Sequence, residues 1–149
     1  MLAGLMSLEG STGRSIAAGT WVFVTFHELG HALVDILQLP VTGREEDAVD
    51  GFSTVLLLQA ELAEAVLQAA IYWAVSDTGM YGQQDFADEH SLNSQRYYNL
   101  LCWIYGSDPQ RFADLVAQGH LPEERAGRCM GEHQQLESSW TALLRPHLR

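Results

Sequence analysis

His27-Glu28-Leu29-Gly30-His31 sets two imidazoles four residues apart with a carboxylate beside the first. On a helix each residue advances about 100°, so His27 and His31 leave one face a single turn apart and can share one divalent ion. Glu28 lies next to that face, where its carboxylate can take a proton from a water that the ion activates. Shuffling this composition would produce the same pattern in about two copies of a hundred, so the motif asks for corroboration. The bland competitor is a helix carrying two ordinary histidines.

A catalytic zinc site takes three protein ligands and leaves one position for water. Beyond Pro40 comes Gly43-Arg44-Glu45-Glu46-Asp47-Ala48-Val49-Asp50. A turn followed by a second helix would return these residues against the end of the first. Glu46 and Asp50, four apart, would share a face, one as a ligand and the other accepting the N–H of a ligating histidine. Glu45 and Asp47 are rival ligands, because a helix start is hard to place within a residue or two. Alternatively the cluster is a solvated helix start, where acidic side chains favour the macrodipole.

The elements that must position these groups read as helices. Residues 15–39 form one, ended by Pro40, with Val41-Thr42-Gly43 as a turn. Residues 45–76, rich in Ala, Leu, Glu and Gln, read as a second, longer one. Residues 77–88, with Gly79 and Gly82, read as a loop. A third helix covers 94–105 and is closed by Gly106. Asp108-Pro109 starts a short helix reaching 118, and Pro122 starts the last, which runs to about 144. No run alternates long enough to demand a sheet. The expected fold is a single, mainly α domain with little or no β-sheet.

The 149 residues, 47% hydrophobic and 18% charged, hold enough apolar material for a core and too little charge for a disordered chain. Eight basic residues, all Arg, against nineteen acidic ones give −11, a balance that repels phosphate backbones and disfavours nucleic acid as a partner. No apolar run is long enough to span a bilayer, and no signal peptide is visible. Cys102 and Cys129 permit one disulfide and match no zinc-finger spacing.

His27 to His31 with Glu46 and Asp50 resembles the gluzincin arrangement of HExxH, a downstream Glu and an Asp four residues later. More broadly, FHELGHALVDILQLPVTGREEDAVDGF, DEHSL, QRYYNLLCWIYG and LPEERAGRC, covering most of the chain from Trp21 onward, are similar to a bacterial family of putative metallopeptidases, domain of unknown function 4344. The resemblance implies a Zn2+ site with His27, His31 and Glu46 as ligands, Glu28 as general base and acid, and Asp50 orienting a ligating histidine. It implies a peptide or protein substrate. It also hints at a Cys102–Cys129 disulfide, and hence a secreted or periplasmic setting. Gluzincins hold substrate along the edge strand of a sheet that precedes the motif helix. Here about twenty residues precede it and do not read as a sheet, so either that sheet lies outside this chain or strand addition is lost.

A donor for the oxyanion of a tetrahedral intermediate is also required, and His90, after the glycine-containing loop, is the candidate, with Arg96, Tyr97 and Tyr98 as alternatives. His120, His133 and His147 have no partner at ligand spacing and are expected at the surface. Trp73, Trp103, Trp140 and the tyrosines are expected in packing. The leading expectation is a zinc-dependent metallopeptidase. Its rivals are a zinc-binding module without catalysis and a helical interaction protein without metal.

Overall fold

Ile16, Gly19, Thr20, Phe23, His27, Gly30 and Val34 recur three or four residues apart and form the buried stripe of the first helix, α1 (Gly13–Leu37). The computed structural model describes residues 13–148. After α1 follow α2 (Glu45–Gln59), α3 (Ala63–Ser76), α4 (Gln83–Ala87), α5 (Asn93–Ser107), α6 (Asp114–Ala117) and α7 (Glu123–Leu144), with a 3₁₀ turn at Arg145–His147. No strand occurs among the described residues, in line with the expected all-α class.

The ends of α1 and α2 share one device. Gln38 has φ 52° and Glu61 φ 61°. Leu39 donates its N–H to the Val34 carbonyl at 3.0 Å and Leu62 donates to the Leu57 carbonyl at 2.8 Å. These six-to-one bonds satisfy carbonyls that a helix end would leave unpaired. The second motif corrects the expectation of one helix over 45–76. The chain breaks at 60–62, and the left-handed position there is filled by Glu61, so no glycine marks the break in the sequence.

Other boundaries shift too. The loop of 77–88 contains α4, and the helix expected over 109–118 shrinks to α6, with Asp108 Oδ1 accepting the N–H groups of Gln110 and Arg111. Pro122 is the residue before α7 rather than its first. Gly106 does not close α5 but lies buried inside it. A Cβ there would overlap the Cys129 carbonyl, so the missing side chain is what lets α5 and α7 meet. Cys102 and Cys129 are joined by a disulfide across the same contact.

Two apolar clusters hold the helices. The larger gathers Phe23, Leu57, Val66, Ile71, Leu100, Leu101, Ile104 and Leu121. The smaller, Val34, Leu39, Val49, Phe52 and Trp140, locks α1, α2 and α7 together beside the motif. His120 corrects the expectation of a surface residue. It is buried, and neither ring nitrogen has a partner among the described residues. His133 is half-buried, whereas His147 is exposed as expected.

Candidate metal centre

Gly30 makes the centre geometrically possible. It lies one turn along from His27 on the buried face of α1, and a Cβ there would come within 2.9 Å of Val49. Only a glycine lets the backbones of α1 and α2 approach so closely. The approach carries the first turn of α2 across the His27/His31 face.

His27 Nε2 and His31 Nε2 are 3.3 Å apart. Glu46 reaches both, with Oε2 3.1 Å from His27 Nε2 and Oε1 3.2 Å from His31 Nε2. Ligands about 2.0–2.1 Å from a tetrahedral ion lie roughly 3.3–3.4 Å from each other. The donor set therefore matches in type and in spacing, and these three residues could hold a metal ion.

Each imidazole is also held from behind. His27 Nδ1 lies 2.8 Å from Asp50 Oδ1, and His31 Nδ1 lies 2.8 Å from Glu45 Oε1. A carboxylate on Nδ1 fixes the tautomer that presents Nε2 to an ion. Glu45, a rival ligand by sequence, thus faces the far side of His31. Asp47, the other rival, accepts a hydrogen bond from Ser91 Oγ at 2.9 Å and points to a neighbouring loop.

Asp50 is buried and carries a second pairing. Arg96 on α5 donates through Nε and Nη2 to its two oxygens, both at 2.7 Å. The guanidinium lies 3.9 Å from the Trp73 ring centroid. Burial alone would raise the Asp50 carboxyl, but hydrogen bonds from His27 and Arg96 and their charges outweigh it, so its pKa is lowered. Arg96, an oxyanion candidate by sequence, is committed to this pair. Tyr97 is buried with its hydroxyl unpartnered among the described residues, and burial raises its pKa. At His31, burial lowers the pKa, but the hydrogen bonds and charges of Glu45 and Glu46 prevail and raise it.

His90 is brought to the same centre by its loop. Arg44 Nη1 donates to the His90 carbonyl at 2.9 Å, and the Ser91–Asp47 bond pins the next residue. His90 Nε2 then sits 3.0 Å from Glu46 Oε2, with Asp88 Oδ1 2.9 Å from Nδ1. His90 does not group with both His27 and His31 at ligand spacing; it joins Glu46 and Glu89 instead. It stands one step outside the His27–His31–Glu46 group. Glu28 is exposed beside that set, with no described side chain holding its carboxylate.

The residues that sequence reasoning did not reach are Arg44, Ser91 and Trp73. The first two tie the His90 loop to α2, and Trp73 backs Arg96. No motif or helical period links these residues to their partners, so only the fold could reveal the contacts.

A family model described as "Putative metallopeptidase", domain of unknown function 4344, matches residues 7–144. No curated protein and no solved structure shows significant similarity to the chain.

Proposed function

Because the chain belongs to this family of putative metallopeptidases, we propose that it is a zinc-dependent peptide hydrolase whose ion is held by His27, His31 and Glu46. The observation that carries the reading is the convergence of two Nε2 atoms and one carboxylate at ligand spacing, each imidazole backed by its own carboxylate. Zinc bound there would supply Lewis acidity, polarising a carbonyl and bringing the pKa of a water towards about 7.

The chain's own residues divide the remaining work. Glu28, one position along α1 from a ligand, takes the proton of the attacking water and returns it to the leaving amine. His90 donates from Nε2 to the oxygen that becomes negative as the tetrahedral species forms. Asp88 on its Nδ1 orients the ring, as Asp50 and Glu45 orient those of His27 and His31. Cys102–Cys129 supports a secreted or periplasmic setting, because a disulfide persists in an oxidising compartment.

The test is zinc content per chain after purification without added metal, followed by cleavage of a mixed peptide library. About one zinc per chain is expected, lost in His31→Ala and in Glu46→Gln. Glu45→Gln should keep the ion with affinity lowered by roughly 10–100-fold, as expected when a partner behind a ligand is removed. Stoichiometric zinc in Glu46→Gln would move the third ligand elsewhere, and a metal-free parent protein would end the reading.

A further inference from the structure

Asp50 Oδ1 receives two donors at once. It lies 2.8 Å from His27 Nδ1 and 2.7 Å from Arg96 Nη2, while Arg96 Nε takes the second oxygen at 2.7 Å. His27, Asp50 and Arg96 are all buried. A guanidinium donates through its edge, so this fork holds both oxygens only while its plane stays close to that of the carboxylate. Rotating the guanidinium would draw Oδ1 away from His27, whose Nε2 faces Glu46 and the His31 ring.

What fixes that plane comes from α3. Arg96 Cζ lies 3.9 Å from the centroid of the Trp73 ring. The ring takes the central carbon and the carboxylate takes the Nε and Nη2 edge, so the two contacts do not compete. Packing alone does not account for Trp73. Its side chain is only partly buried and borders an open groove with Trp21, Val24 and Val75. Its Nε1 is buried without a partner among the described residues, although a buried indole N–H ordinarily finds one. The charged partner that the indole does have is Arg96, set over its π face.

We infer that Trp73 is a positioning residue of the metal centre, acting through Arg96 and Asp50 on His27. The relay joins four helices: α3 supplies the ring, α5 the guanidinium, α2 the carboxylate and α1 the imidazole. The inference rests on the zinc reading for its end point, but the part from Trp73 to Asp50 can be measured without metal.

The experiment compares the native protein with Trp73→Leu and Trp73→Phe. In metal-free protein, solvent exchange of the Arg96 Nε–H is followed by NMR. It should quicken several-fold in Trp73→Leu and stay close to native in Trp73→Phe, whose ring keeps a π face. Zinc competition titrations should show affinity about three- to tenfold weaker in Trp73→Leu, less than the roughly 10–100-fold for a group that touches a ligand directly. Trp73→Phe should recover most of that loss. In an Asp50→Asn background, Trp73→Leu should change zinc affinity by less than about twofold, because the carboxylate it acts through is gone. Trp73→Met takes the place of Trp73→Leu if the latter does not fold. Native zinc affinity in Trp73→Leu, equal losses in the Leu and Phe variants, or a loss that persists undiminished in Asp50→Asn would each overturn the positioning role, the last by assigning Trp73 to packing. A native protein that takes up no zinc would instead refute the metallopeptidase reading, and the exchange rates would then decide the relay as far as Asp50.

Discussion

Asp50 Oδ1 lies 2.8 Å from His27 Nδ1, and the same carboxylate is gripped by the buried guanidinium of Arg96. The carboxylate that orients the histidine is itself oriented from another helix, so α1, α2 and α5 are tied through one side chain. Asp50→Asn keeps the shape and removes the charge. It is expected to lower zinc affinity by roughly 10–100-fold. It should also destabilise the fold by about 3 kcal/mol, because Arg96 is left charged and uncompensated. Zinc competition titrations and urea unfolding measure the two effects separately. In an Arg96→Met background the stability cost should shrink, since the residue left unpaired is gone.

Glu28→Gln separates metal binding from chemistry. The side chain is exposed and has no structural partner among the described residues, so folding and zinc content should match the parent. Turnover should fall by at least about 100-fold, the lower range for a positioned general base. Parent-like cleavage of any substrate found in the library would remove Glu28 from its assigned role.

Where the sequence carries local geometry, the grouping of these side chains could be read before the fold was known. His27, Gly30 and His31 lie within two helical turns, and Glu46 and Asp50 are i and i+4, so helical period alone sets their facing. That Glu46, and not Glu45 or Asp47, groups with both imidazoles depends on the register of α2 against α1, at which Gly30 packs on Val49. Arg96 is 46 residues from Asp50, and nothing local links them. Glu61 takes a left-handed backbone that sequence alone assigns to glycine, so the break before α3 was invisible. Gly106 gave a misleading signal, because a glycine near a helix end reads as a stop and here serves a close crossing.

That crossing is testable through the disulfide. Cys102 and Cys129 enclose a separation of 27 residues. Chain-entropy arguments assign such a loop about 3–4 kcal/mol through restriction of the unfolded state. Unfolding free energies of the oxidised protein and of Cys102→Ala/Cys129→Ala should differ by about that much. Gly106→Ala should cost about 3 kcal/mol even with the disulfide intact, because the added methyl meets backbone rather than a movable side chain. A neutral result for Gly106→Ala would mean that the helices separate freely at this point.

His120 gives the fold a pH dependence of definite sign. Burial disfavours its charged form, so its folded-state pKa lies below the usual 6.5. The folded state then binds fewer protons than the unfolded chain, and stability from this group rises with pH between the two values. It is intact above 6.5 and lost as pH falls through the folded-state value. His133, also lowered by burial, acts in the same direction, whereas the raised pKa of His31 opposes both in metal-free protein. Replacing the ring by Leu removes both the titration and two buried nitrogens that lack described partners. His120→Leu should therefore raise stability at pH 7.5 by about 1 kcal/mol and flatten its decline between pH 6.5 and 5. Urea unfolding with a chelator present, at half-unit pH steps, reads both; an unchanged slope would assign the acid sensitivity to other groups.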